Sequence, residues 1–512
     1  MKYCPFFSIV FYILGIFSII PARCARILAI ETIGAKSHWN FMRAVLQTLT
    51  DNGHQVVVFT PFLDGNRKNY TEISLPQEIP RQINLEMDST LQKWESPINS
   101  ISYLASAVKR YRDVIFSEKQ IQELDSNSKF DLVIIEPITT EDFSVIATKL
   151  NVPIIYVSPT TTLSYMERFF IGQILNPAYV SHLFYKQTNI THSFTHRFNN
   201  FILYAFELSR LFYEESFTHS VHFKRYENIP PTKPSIIFQN IHYITELSRP
   251  FMPNVIQIGG IHLNSPKSIP SDILEFIENS PNGVIFFTLG SIMSVSTLPD
   301  HILNTLKKAF SKFPQRILLK FEGEMKEKPV NVMTKKWFPQ RDILMHPNVI
   351  LFISHGGISG MYEAVDAGVP VLGFPLCFDQ PRNIDSLVEA GMALSMDLMS
   401  LSEEPFYEAV TELINNKKYT ENAKITSERF KDRPMSPAES VVYWTNYVIR
   451  YKGAHHLKSQ AHELTWYQYF LLDVISVIFL GSFTLLYIFI RLIKVVNRLI
   501  VIISKYHKNE LQ

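Results

Sequence analysis

The sequence predicts an α/β protein built as two parallel-sheet halves, followed by a single transmembrane helix. Short apolar runs of strand length alternate with helical segments in two separate series, the pattern of parallel sheets covered on both faces. The chain has 512 residues, too many for one ordinary domain and suited to two of roughly 200 with appendages. Near the C-terminus, Phe470 to Ile490 (FLLDVISVIFLGSFTLLYIFI) has the length that crosses a bilayer hydrocarbon core. A formal net charge of +2 gives no electrostatic case for nucleic acid or an acidic partner.

The first element, residues 1–25, reads as a signal peptide. Lys2 precedes an apolar run from Pro5 to Ile20, and the small residues Ala22 and Cys24 suit signal peptidase, with a mature start near Ala25. The alternative is an uncleaved anchor. With cleavage after Cys24, Cys377 is the one cysteine left, so no disulfide forms within the mature chain. The sequons at Asn69 (NYT) and Asn189 (NIT) are candidate glycosylation sites.

The first half, residues 26–247, opens on the strand Arg26 to Glu31 (RILAIE). A turn over Gly34 to Trp39, a helix through Thr50 and a second strand, Gln55 to Thr60, follow. Asp131 to Ile135 and Pro153 to Val157 are later strands of the same sheet. Residues 73–123 and 166–227 carry aromatics without strand character and read as helices and loops over a pocket. Two prolines in Ser248 to Val255 mark the linker.

The second half, residues 256–430, holds the densest chemistry. Val349 to Ser354 (VILFIS) is a buried-strand run, His355, Gly356 and Gly357 form a turn, and Ile358 to Ala367 is helical. Glycines in that turn let the backbone approach a ligand, and the partnerless N–H groups opening the helix suit a phosphate. His355 adds a donor. Ser359 and Glu363 share a helix face, offering a hydroxyl to phosphate and a carboxylate to ribose. After the strand Val369 to Leu376 come Asp379 and Gln380, a pair suited to sugar hydroxyls. Trp337 offers a flat face to a base and Gln340 an amide to its edge. Upstream, the run Gly283 to Leu289 ends in Gly290 and Ser291, a second turn at a strand's carboxyl end. Together these describe a site for a nucleotide carrying a sugar.

Residues 431–468 return toward the first half and reach the membrane, where Trp466, Tyr467 and Tyr469 form an aromatic belt before the spanning segment 469–490. Arg491, Lys494, Arg498, Lys505 and Lys508 then populate the tail 491–512, which positive-inside logic places in the cytosol. The tail's spaced basic residues suit the membrane surface.

The stretch from Trp337 to Gln380 closely resembles the signature of the UDP-glycosyltransferases, an inverting family that moves sugars from UDP-sugars to small lipophilic acceptors. The membrane-proximal segment resembles membrane-bound animal members, particularly insect ones. The resemblance implies the GT-B architecture, two Rossmann-like domains facing a cleft, with acceptor held by the first and donor by the second. It implies that Trp337 stacks on uracil and Gln340 contacts the base. His355, Gly357, Ser359, Gly360 and Ser291 hold the diphosphate, Glu363 the ribose, and Asp379 with Gln380 the donor sugar. The family commonly has Asn where this chain has Ser359.

The resemblance also places the catalytic His at His38, in the turn AKSHW after the first strand. An imidazole with a pKa near 6.5 is poised to take an acceptor proton. Its acidic partner follows a later strand. Glu136 stands where many relatives have Asp and is the first choice, Asp142 the second. The implied reaction is a single displacement with inversion at an α-linked UDP-sugar, the UDP-sugar serving as co-substrate. No cofactor is implied, and the sequence carries no Asp-x-Asp motif or His/Cys cluster to bind a metal. UDP-glucose is the expected donor and UDP-glucuronic acid the second, because a glucuronate carboxylate calls for a cation that the sequence does not place. A catalytically silent UDP-sugar binder and a membrane-tethered lipophile carrier are the other classes. Family resemblance implies an endoplasmic reticulum membrane protein, type I, with its domains lumenal; a homo-oligomer is left open.

Overall fold

The computed structural model describes residues 24–75, 114–125, 127–138, 141–161, 166–183, 185, 191–217, 232–246, 248–291 and 293–510. Nearly all of the signal-peptide segment, and Asn189, lie outside them. The chain forms two compact units that divide after Leu457.

In the first unit, β1 (Arg26–Ile30), β2 (Gln55–Thr60), β3 (Tyr70–Ser74), β4 (Leu132–Ile135), β5 (Ile154–Ser158), β6 (Ile236–Gln239) and β7 (Val255–Gln257) form one sheet. The order is β3-β2-β1-β4-β5-β6-β7 and every pairing is parallel. Helix α1 (Lys36–Asp51) follows β1 and buries Trp39, Phe41, Met42, Val45, Leu46 and Leu49. The second sheet contains β8 (Val284–Thr288), β9 (Arg316–Lys320), β10 (Val332–Lys335), β11 (Val349–Ser354), β12 (Val371–Gly373) and β13 (Ala393–Ser395) in the order β10-β9-β8-β11-β12-β13. It too is parallel throughout. Three of its helices matter for the site: α2 (Gln340–Leu344), α3 (Ile358–Ala367) and α4 (Gln380–Glu389).

Both sheets wind outward from a central pair, β1 beside β4 and β8 beside β11, so the chain reverses direction across the sheet at those points. Crossovers leave a crevice there, beyond the carboxyl ends of the strands, and that is where ligands of open α/β sheets lie. The elements expected to carry chemistry, the turns after β1, β4, β8 and β11, all open onto these crevices.

One boundary needs correcting. The segment 248–255, read as a linker from Pro250 and Pro253, lies inside the first domain, because Val255–Gln257 pairs in parallel with β6. A three-residue edge strand is too short to announce itself by periodicity. The crossing to the second domain comes after Gln257. The return segment is Pro437–Arg450, a helix started by a Ser436–Glu439 capping box with Pro437 in its first turn. Its Val441 and Val448 enter the same core as Ile27, Trp39 and Val45 of the first domain.

The second unit contains one long helix, Leu472–Glu510, of which Leu472–Lys505 is long and apolar enough to cross a membrane, with mean hydropathy 2.1. The sequence suggests a spanning part ending at Ile490 and a separate tail. Instead the helix continues unbroken, because no Gly or Pro follows Gly481 before Glu510 and the basic residues Arg491, Lys494 and Arg498 recur at helical spacing.

Candidate active site

The carboxyl edges of the two sheets face a cavity of about 450 Å³ lined by residues of both domains. On the first-domain side, His38 occupies the first turn of α1 and Glu136 follows β4 directly. β1 and β4 are neighbours, with Ile30 paired to Ile135, so the residues just past each strand come together. His38 Nδ1 lies 2.6 Å from Glu136 Oε1, with the carboxyl buried and about a quarter of the imidazole exposed. A carboxylate at Nδ1 fixes the proton there and leaves Nε2 as the nitrogen able to accept one. Burial pulls the His38 pKa down, but the charge and hydrogen bond of Glu136, with a further contribution from Asp379, outweigh it and the net shift is upward. Asp142 sits on the short 3-10 turn Glu141–Ser144 and is not among the residues lining the cavity.

Glu31 is a feature that sequence reading missed. It is fully buried at the end of β1, and its pKa is raised well above the carboxylate range by burial and by the charge of Glu136, against one hydrogen bond from Ile33 N–H. Two neighbouring buried carboxyls do not both ionise. Burial and that neighbouring charge both favour the protonated form of Glu31.

The second-domain side is built around His355. Gly290, in the left-handed region at φ +79°, and Gly357 flank the ring so closely that a Cβ on either would lie 2.5 Å from its Cε1 or 2.6 Å from its Nε2. At both positions a side chain would collide with this imidazole. Burial, and next the charge of Lys320, lower the His355 pKa to about 4, so the ring is neutral at physiological pH. Its Nδ1 has no hydrogen-bond partner among the described residues. Gly357 caps α3 without any side-chain cap, which leaves the opening N–H groups of that ten-residue helix unpaired by side chains. Ser291, Ser359 and Gly360 line the same end of the cavity. The carbonyl of Ser359 is held 3.1 Å from His262 Nε2, and His262 is kept neutral by burial, with its pKa near 4.

Trp337 lines the cavity while 66% exposed, an unusual state for a large aromatic. Gln340 donates to Glu363 Oε2 at 2.6 Å, so its amide nitrogen is engaged with the carboxylate expected to meet ribose. Gly360 permits this, since a Cβ there would come within 3.0 Å of Gln340 Nε2. Burial raises the Glu363 pKa to about 7, opposed by Gln340 and by the charge of Arg341.

Asp379 caps α4, accepts from Asn383 at 2.8 Å, and has its pKa raised by burial. Gln380 lines the cavity and is also bonded within its own loop. Its Oε1 accepts from the Leu376 and Cys377 N–H groups at 2.8 and 3.1 Å, so that oxygen holds the loop. The loop needs holding: Phe378, adjacent to Asp379, is a non-glycine residue at φ 54°. Lys320 is a second missed residue, a buried lysine ending β9 that lines the cavity and pairs with Glu322. A charge closing the apolar run RILLK was its only signal.

Of the sequons, Asn69 is half-buried in a turn at φ 61°. Cys24 is exposed and Cys377 is buried.

A family model described as UDP-glucoronosyl and UDP-glucosyl transferase matches residues 25–507. The chain belongs to that family. Within it, UDP-glucosyltransferase 2 of Dactylopius coccus is 37% identical over 480 residues, covering 91% of this chain and 92% of the relative. UDP-glucuronosyltransferase 2B15 of Homo sapiens is 29% identical over 503 residues, with 91% and 92% covered. Both sugar classes thus occur in the names of this family's relatives. Among solved structures, the spinosyn forosaminyltransferase SpnP superposes with TM-score 0.54 at 16% identity, covering 83% of this chain and 99% of that one. The fold is accordingly GT-B, with the apolar C-terminal helix added to it.

Proposed function

We propose that this glycosyltransferase moves glucose from UDP-glucose to a hydroxyl of a small lipophilic acceptor, with inversion. The observation that carries the reading is the His38–Glu136 pair, 2.6 Å apart, across one cavity from the His355 turn and the open N-terminus of α3. In the step, His38 Nε2 takes the proton of the acceptor hydroxyl as its oxygen bonds to the anomeric carbon. The bond from that carbon to the diphosphate oxygen breaks, and UDP leaves with the electron pair against the α3 N–H groups, Ser291, Ser359 and His355. The imidazolium formed is stabilised by Glu136.

A lipophilic acceptor is supported by Ile33, Ala35, Ile138, Pro159 and Leu183, which line the first-domain wall. A neutral sugar is supported by the state of the basic residues lining the cavity. Lys320 is paired with Glu322, Arg341 with Asp366, and Lys36 lies over the Phe62 ring. A glucuronate carboxylate would have to break one of these pairings to gain a counter-charge. The C-terminal helix would anchor the enzyme in the endoplasmic reticulum membrane with its domains lumenal.

The test is expression of wild type and His38→Ala in microsomes, each incubated with UDP-glucose or UDP-glucuronic acid and pooled phenols and steroids, with products read by mass. A hexose adduct lost in the variant supports the reading. An adduct from UDP-glucuronic acid alone overturns the sugar, and UDP binding without any adduct overturns the activity.

A further inference from the structure

Beneath the cavity lies a buried set of charges that the reaction above does not use. Arg382 of the second domain lies on α4, two residues beyond Gln380, and is 5% exposed. Its guanidinium leaves its own domain. One nitrogen pairs with Glu246 and another donates to the Ser181 carbonyl at 3.3 Å, both in the first domain. Glu246 also meets Arg249 at 3.1 Å, and Arg249 in turn bonds Glu167 at 2.8 Å and Thr161 at 3.1 Å. Among the described residues, two arginines and two glutamates thus pair with one another, all of them buried.

We propose that Arg382 is a positioning residue that fixes the helix carrying Asp379 onto the acceptor domain. This rests on the glycosyltransferase reading above. The geometry gives the reason. Asp379 belongs to the donor half, yet it is near enough to His38 that each influences the other's ionisation. The base and the donor sugar come from different domains, and reaction requires their separation to be held closely. A hydrogen bond between Tyr362 of the second domain and Thr245 of the first, at 2.7 Å, ties the halves near α3. Arg382 ties them at α4. A planar guanidinium can meet a carboxylate and a carbonyl in fixed directions, which an ammonium cannot. A buried ion pair adds little net stability over an apolar replacement, so its retention suits orientation better than cohesion.

The experiment compares Arg382→Met with Arg382→Met/Glu246→Gln, in the full-length membrane enzyme. The single variant leaves the cluster with an excess negative charge. The double variant is neutral again, since Arg249 and Glu167 remain paired. Three quantities are read: UDP binding, kcat with UDP-glucose, and amide hydrogen exchange over residues 380–389. In the double variant UDP binds within twofold of wild type, because the nucleotide contacts belong to the second domain. Its kcat falls by about 100-fold, the scale of an ångström-size misplacement, and the α4 amides exchange faster. Recovery of kcat in the double variant would make Arg382 a mere charge balance and overturn the proposal. A wild type that transfers no sugar would sink the activity instead, and unchanged exchange at α4 would then still sink the clasp.

Discussion

Replacing Glu136 with Gln isolates the charge on the His38 partner. The amide matches the carboxyl in shape and can still accept from Nδ1 through its oxygen, so the ring keeps its orientation. What disappears is the charge that stabilises imidazolium. A hydrogen bond to a charged group contributes about 1.5–3 kcal/mol, and each 1.36 kcal/mol is tenfold in rate, so kcat should fall by about 10- to 150-fold. The pH profile should move as well. In wild type, the partner's charge lifts the His38 pKa against the opposing effect of burial. Activity on the acid limb rises as His38 loses its proton. Without the charge, burial dominates, the pKa drops, and the acid limb shifts to lower pH, so the deficit of the variant narrows in acid. The assay is kcat against pH with UDP-glucose and an acceptor from the panel, with UDP affinity as the check on folding. Asp142→Asn is the control and should stay within twofold. An unmoved acid limb in Glu136→Gln, or a shift produced by Asp142→Asn, would refute the pairing as the source of basicity.

Trp337→Ala should weaken UDP binding by the value of one base stack, about 1–3 kcal/mol, measured by calorimetry. Thermal stability should hardly change because the ring is mostly exposed. Glu363, with its pKa raised to about 7, must ionise to accept ribose hydroxyls. UDP-glucose affinity should therefore fall by up to about tenfold per pH unit below 7, and Glu363→Gln should bind weakly but without that slope; a wild-type affinity flat from pH 6 to 8 would contradict it. Gly290→Ala places a Cβ 2.5 Å from the His355 ring at a left-handed φ. Strain of about 1–2 kcal/mol plus displacement of the ring should lower both melting temperature and UDP affinity, and a variant with wild-type affinity would show that His355 has no part in the nucleotide site.

Local pattern made much of this architecture readable. Val349 to Ser354 and Ile358 to Ala367 stand in the structure at the bounds their apolar runs imply, because a buried parallel strand and a helix cap leave direct traces in sequence. β3 was not readable, since Tyr70–Ser74 has an edge strand's mixed composition and is recognised only by its pairing with β2. Long-range contacts account for the other gaps. Nothing near Glu31 in sequence announces that residue 136 will adjoin it, and nothing in the DQPRN run tells that Arg382 reaches Glu246. Gln380 shows a related gap: nothing beside it in sequence announces that its oxygen is bonded to the N–H groups of the loop before it.

Two histidines line the cleft and a third, His262, meets the carbonyl of Ser359, and their surroundings differ. His38 has a carboxylate on one nitrogen and partial exposure on the other, and its pKa is raised. His355 and His262 have no carboxylate, are desolvated, and have pKa values near 4. Residue type alone could have assigned base, phosphate donor and scaffold in any order. The environments differ in a way that supports the proposed order. A proton acceptor must gain stability when charged, which only His38 does. A ring that meets a diphosphate while remaining neutral can donate a hydrogen bond without competing for the acceptor's proton, and His355 is kept neutral in part by Lys320, itself a cation beside the same turn. Lys320 thereby opposes protonation of His355, second to burial. Lys320→Met should consequently raise the His355 pKa, measurable by NMR of the imidazole, while weakening UDP binding; an unshifted His355 resonance would place Lys320 outside the electrostatics of the site.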